Sequence, residues 1–196
     1  MVNPLIEELR KEFEVAYMSH DPAHRIDHAL DVTTRALDIN QKLGLNLVED
    51  ILIVPGMLHD LFNNDRTNHH TLAAEYIQEA DHHILNRYSW GGRFLMAQAA
   101  AEHRASRKET HFTSIYSEVI ASADRGVPDV GLTLKRAMQY AAHHNNLPAS
   151  SEEVYVISAT HLKEKFGRNG YIHYPDIYKQ YHKDALELFY VSIENL

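Results

Sequence analysis

Apolar residues recur at helical intervals along almost the whole of this chain, and that spacing limits the fold more than any other feature. From Ala23 to Leu43, the positions Ile26, Leu30, Ala36, Leu37 and Leu43 fall at separations that share one buried face. Asp21-Pro22 ahead of them reads as a cap followed by a first-turn proline, and Gly44 as a stop. A second helix is expected from about Val48 to Leu61, with Pro55 kinking it or delaying its start. A third covers about His69 to Tyr88. Gly91-Gly92 separates it from a fourth that ends near Ala105. Further helical patterns follow at about Phe112–Ala123, Val130–His144, Ser151–Phe166 and Pro175–Ile193. Ser150-Ser151-Glu152-Glu153 resembles a capping-box entrance. The best strand candidate, VYVI at 154–157, has helical flanks that argue against it. The expectation is an all-α, single-domain helical bundle, with residues beyond about 148 as an extra helical layer.

A chain of 196 residues can bury a proper core within one domain. No window approaches the roughly 18 apolar residues of a membrane span. The N-terminal MVNPLIEELRKEF is amphipathic and mixed in charge, unlike a signal peptide, so no membrane partner and a cytosolic (cytoplasmic) location are the default expectations. The net charge of −8 argues against general nucleic-acid binding, which rewards dense Lys and Arg, though one basic pocket for a single phosphate is still allowed. With no cysteine, disulfides, thiolate metal sites and a cysteine nucleophile are all excluded.

Histidine is the outlier, with 15 copies, and its positions matter more than its number. Histidine and carboxylate meet near expected helix ends at DPAHRIDH, at His59-Asp60 followed by His69-His70, at Glu102-His103 and at Ser122-Ala123-Asp124-Arg125. His24 and His28, four apart, would share a helix face. Such mixed donors suit Mn, Fe, Co, Ni or Zn, with Mg where oxygens dominate. Neighbours on a helix point about 100° apart, so His59 and Asp60 reach one ion only where other helices converge, as in a bundle core. Bland readings stand beside this one. His59-Asp60 would also make a hydrogen-bonded helix end, and His69 and His70 could simply begin a helix. His82-His83 and His143-His144 read as solvated pairs, and Lys163, Lys165 and Arg168 as a solvated basic loop.

Taken together and in order, these segments resemble the HD-domain superfamily of metal-dependent phosphohydrolases, most closely its small bacterial stand-alone proteins. The likeness rests on AHRIDH at 23–28, GMLHDLF at 56–62, LAAEYI at 72–77, AEHRAS at 101–106 and SADRG at 122–126, and spans roughly residues 15 to 140. It implies a bundle of the HD-domain type, with His28, His59, Asp60 and Asp124 as metal ligands. His69 or His70, together with His103, match positions that bind a second metal or contact phosphate. The H-x-x-L spacing to Leu72 favours His69. There are departures: the common DAD reads SAD, which keeps Asp124 but loses the first carboxylate. Asp31 stands where an arginine is often found.

The resemblance implies hydrolysis of a phosphate ester or anhydride, on a nucleotide or similar small phosphorylated metabolite. One divalent ion or two would be needed, with Asp60 as a bridge between two. His103 would orient phosphate or donate a proton, Asp65 is a candidate general base, and Arg104 and Arg125 are candidates to neutralise phosphate charge. Two alternatives remain at this point, an HD-fold di-iron oxygenase and a regulatory module that binds a nucleotide without turnover. Oligomeric state is open, with a homodimer as one option.

Overall fold

Ten α-helices and no strand occur among the described residues of the computed structural model, which are 3–20, 24–105 and 111–196. The all-α expectation is borne out. The Asp21-Pro22 cap, Ala23 of AHRIDH and Ser106 of AEHRAS lie outside the described residues. The helices fall into two compact units, residues 1–126 with 175–181, and residues 127–174 with 182–196. The sequence motifs span about 15–140, with the expected helical extension from about 148.

In the first unit, α1 (Pro4–Tyr17) starts behind Asn3, whose side chain accepts the Leu5 N–H, and buries Leu5, Ile6, Leu9, Phe13 and Tyr17. α2 (Ile26–Lys42) ends in a Schellman turn. Gly44 takes φ +62°, its N–H bonds the Gln41 carbonyl, and the Leu45 N–H bonds that of Asn40. α3 (Glu49–Leu58) carries Pro55 in its interior, so the proline does not delay its start. α3 is buried along most of its length, from Leu52 to Leu58. Gly56 is where α2 comes closest, because a Cβ there would meet the Thr33 hydroxyl at 2.6 Å. One core joins α1 and α3 to Ala73, Ile77, Met96 and Ala100. A second joins Val32, Ala36 and Ile39 of α2 to Leu52, Ala99, Val119, Ile120 and Ile177.

Three boundaries depart from the sequence expectation for identifiable reasons. α4 (His69–Glu79) stops well before Tyr88, because Arg93 donates to the carbonyls of Ile77 at 2.7 Å and Ala80 at 2.8 Å and so closes its C-terminus. Gly91 and Gly92 lie inside the first turn of α5 (Trp90–Glu102), whose cap Ser89 accepts the Gly92 N–H. α6 follows as Ile115–Asp124 behind Ser114. The C-terminal segment breaks at His182 into α9 (Asp176–Tyr181) and α10 (Lys183–Glu194) instead of running as one helix. In this unit Tyr181 of α9 hydrogen-bonds Asp38, and Glu118 accepts the Ile177 N–H at 2.9 Å.

The second unit contains α7 (Val130–Asn145), α8 (Glu152–Phe166) and α10. Ser151 caps α8 by accepting the Val154 N–H, and VYVI is helical within it. Ala141, Ala142 and Val154 form a small core. Arg168 is engaged by Glu187 at 2.8 Å and Glu194 at 3.3 Å, so it is an ion-paired side chain of this unit.

Candidate metal centre

Five helix ends deliver the site. His28 lies in the first turn of α2, His59 and Asp60 follow the last turn of α3, His69 opens α4, His103 caps α5 and Asp124 ends α6. His28 Nε2 is 3.1 Å from Asp124 Oδ1, 3.6 Å from Asp60 Oδ2 and 3.4 Å from His59 Nε2. His59 Nε2 is 3.4 Å from Asp60 Oδ2 and 3.6 Å from Asp124 Oδ1. The other oxygen of Asp60, Oδ1, faces His69 Nε2 at 3.5 Å and His103 Nε2 at 3.7 Å. Asp60 therefore stands between two histidine pairs, one on each oxygen.

Three of the imidazoles are aimed by the same device. Nδ1 of His59 donates to the Gly56 carbonyl at 2.9 Å, that of His69 to Arg66 at 3.1 Å and that of His103 to Ala100 at 2.6 Å. A carbonyl oxygen can only accept, so each Nδ1 carries a proton and each Nε2 faces the cluster. Each partner is three residues back in the chain.

The donor set fits a metal ion. With bonds of about 2.1 Å, neighbouring donors around one ion lie roughly 3.0–3.4 Å apart, close to the spacings found here. Ligand atoms of His28, His59 and Asp60 all lie within 4.8 Å of one another, as do those of Asp60, His69 and His103. Both groups are largely withdrawn from solvent, and His59 is fully buried. This buried His/Asp group could hold a metal ion.

The electrostatics ask for a cation. Burial disfavours a charged imidazole at His59, but the charge of Asp60 and the hydrogen bonds with Asp124 and Asp60 outweigh it and lift its pKa to about 10. Burial acts to raise Asp60, yet the charge and hydrogen bond of His59 hold it well below the usual carboxylate range. Asp124 is likewise held low, against burial, by hydrogen bonds from His28 and His59. His103 goes the other way: burial and then the positive charge of His59 push it down to about 4. One proton shared in this way does for the metal-free cluster part of what a divalent ion would do.

The remaining candidates are placed differently. His70, beside the buried His69, has an Nδ1 buried without a hydrogen-bond partner and does not join either group. His24 precedes α2, so it and His28 do not share a helix face, although their rings are 5.8 Å apart. Asp65 closes the turn before α4: its Oδ1 accepts the Thr67 and Asn68 N–H groups and its Oδ2 the Asn68 amide, which holds its pKa low. Arg104 donates to the Thr67 carbonyl at 3.2 Å, and Arg125 to the carbonyls of Ala121 and His103. His82 is not solvated as expected. Its Nδ1 accepts the Ile84 N–H, so its Nε2 carries the proton toward Glu12 at 3.3 Å, and its ring lies against Phe13. Glu12, His82 and His83 are close enough to hold an ion; the hydrogen bond joins Glu12 to His82, and His83 Nε2 lies 3.7 Å from Glu8.

Several supporting residues carry little or no signal in the sequence. Arg35 Nε donates to the Ala123 carbonyl at 2.8 Å and so pins the end of α6, next to Asp124, against α2. Tyr17 donates to the Met57 carbonyl at 2.7 Å. Gly56 sets the α2–α3 approach. Only Gly56, inside a quoted motif, carried any signal in the chain. Compared with family models, characterised proteins and solved structures, the chain matches none.

Proposed function

We propose that this protein is a metal-dependent phosphohydrolase that cleaves a phosphate ester or anhydride of a nucleotide or similar small metabolite. The observation that carries the reading is the division of Asp60 between two histidine pairs, with Asp124 closing one of them. His28, His59, Asp60 and Asp124 would hold one divalent ion, and Asp60 with His69 and His103 a second ion or a phosphate oxygen. Drawn from Mn, Fe, Co, Ni, Zn or Mg, the bound ion supplies Lewis acidity and a water acidic enough to attack at neutral pH. The six side chains fix the reacting groups in place, and their burial strengthens every charge interaction there. His103 is neutral at working pH and presents a lone pair, which favours a ligand or acceptor role over proton donation. Arg104, whose charge acts on both His69 and His70, would meet a phosphate on that side. The reading takes the substrate to be a small cytosolic molecule; among the described residues no helix is long and apolar enough to cross a membrane.

Metal-stripped protein reloaded with Mn and screened against nucleotides should release phosphate, and Asp124→Ala should fall to background. A carboxylate shared by two histidine pairs also suits two irons, which supports an HD-fold oxygenase as second reading. Anaerobic iron loading followed by oxygen exposure separates the two, since oxygen consumed with an organic substrate favours the oxygenase. Tight nucleotide binding with no phosphate release from any substrate would favour the regulatory module.

A further inference from the structure

The end of α3 leaves four carbonyls without partners inside the helix, and each finds one. The Pro55 carbonyl accepts the His59 N–H at 2.9 Å, Gly56 accepts His59 Nδ1 at 2.9 Å and Leu58 accepts the Leu61 N–H at 3.1 Å. Met57 accepts the hydroxyl of Tyr17 at 2.7 Å. The first three bonds are local to the segment that carries the site. The fourth comes from another helix, at the last residue of α1, whose side chain is 1% exposed. Tyr17 therefore ties α1 to the turn from which His59 and Asp60 project, two and three residues beyond Met57.

We propose that Tyr17 is a positioning residue of the metal centre. Its hydroxyl fixes the Met57 carbonyl and hence the direction in which Asp60 presents one oxygen to His28 and His59 and the other to His69 and His103. The inference rests on the metal-centre reading above. Core packing alone would be served as well by phenylalanine, because Tyr17 belongs to the apolar cluster, its ring lies edge-on to His20, and the hydroxyl is the only polar atom of the side chain. Groups that orient ligands from outside the coordination sphere typically change metal affinity by about 10–100-fold.

The test is a Co(II) titration of metal-free wild type, Tyr17→Phe and Phe13→Leu, read by visible absorption, with circular dichroism to confirm folding. Phe13 belongs to the same face of α1 and packs on Tyr76 and His82, so its truncation loosens α1 without touching the Met57 carbonyl. Tyr17→Phe is expected to bind Co(II) at least about tenfold more weakly, with a shifted ligand-field band, while Phe13→Leu keeps both wild-type values. Wild-type affinity and spectrum in Tyr17→Phe, or equal weakening in both variants, would overturn the inference. Absence of Co(II) uptake by the wild type would instead bring down the metal-centre reading itself.

Discussion

Asp60 is the residue whose two oxygens link the halves of the site, and its charge is the property to remove first. Asp60→Asn keeps the shape but places an amide against one histidine pair, so both ion-holding groups weaken together. Isothermal titration with Mn should show loss of all tight binding, where loss of only one of two equivalents would mean that the pairs act independently. Proton linkage gives a second outcome at this scale. In metal-free protein the His59 pKa of about 10 lies above its ordinary value of 6.5. Its contribution to stability is therefore complete below 6.5 and is lost as pH rises toward 10. Asp60 and Asp124 are shifted downward, so their contributions are present above the ordinary carboxylate range and disappear in acid. Thermal melts of chelator-treated protein should fall steadily from pH 6.5 to 10. Metal affinity should move the opposite way across the same range, because binding displaces the His59 proton. A melting temperature flat over that window would contradict the charge arrangement.

At the scale of elements, the site depends on where helices stop and how closely they approach. Gly56→Ala puts a methyl into the Thr33 hydroxyl at the α2–α3 contact and should cost about 1–3 kcal/mol by overpacking. It should also weaken metal binding, since His28 and the His59-Asp60 pair sit on those two helices. Arg93→Leu withdraws charged donors from the C-terminal carbonyls of α4 and should cost about 1.5–3 kcal/mol in denaturant melts. Metal affinity should change little, because His69 lies at the far end of that helix.

These elements also show what the chain made legible. Histidine and carboxylate near helix ends were legible in the residues, whereas the choice of His28, His59, Asp60 and Asp124 among them came from the resemblance to the HD-domain superfamily; the structure brings all four together. His69 could be separated from His70 only by its spacing to Leu72, and the fold places it facing Asp60. The end of α4 was illegible, because the arginine that closes it lies beyond the expected stop and acts through tertiary contact. Ser89 as a cap was hidden by two glycines that look like a break. Tyr17 resembled an ordinary core aromatic, and nothing in its neighbours marks the carbonyl it meets forty residues on.

For the whole molecule, five converging helix ends with two like-charged carboxylates at their meeting point would make a bound ion a folding partner. Free metal at about a hundredfold over its dissociation constant stabilises by about 2.7 kcal/mol, so chelation should lower the melting temperature in proportion. The measurement that reaches the central claim most directly is metal content of the purified protein by elemental analysis, beside His59→Ala and Asp124→Ala variants of unchanged helical content. The account predicts bound transition metal in the wild type and its loss in both variants. Full retention in both would contradict it.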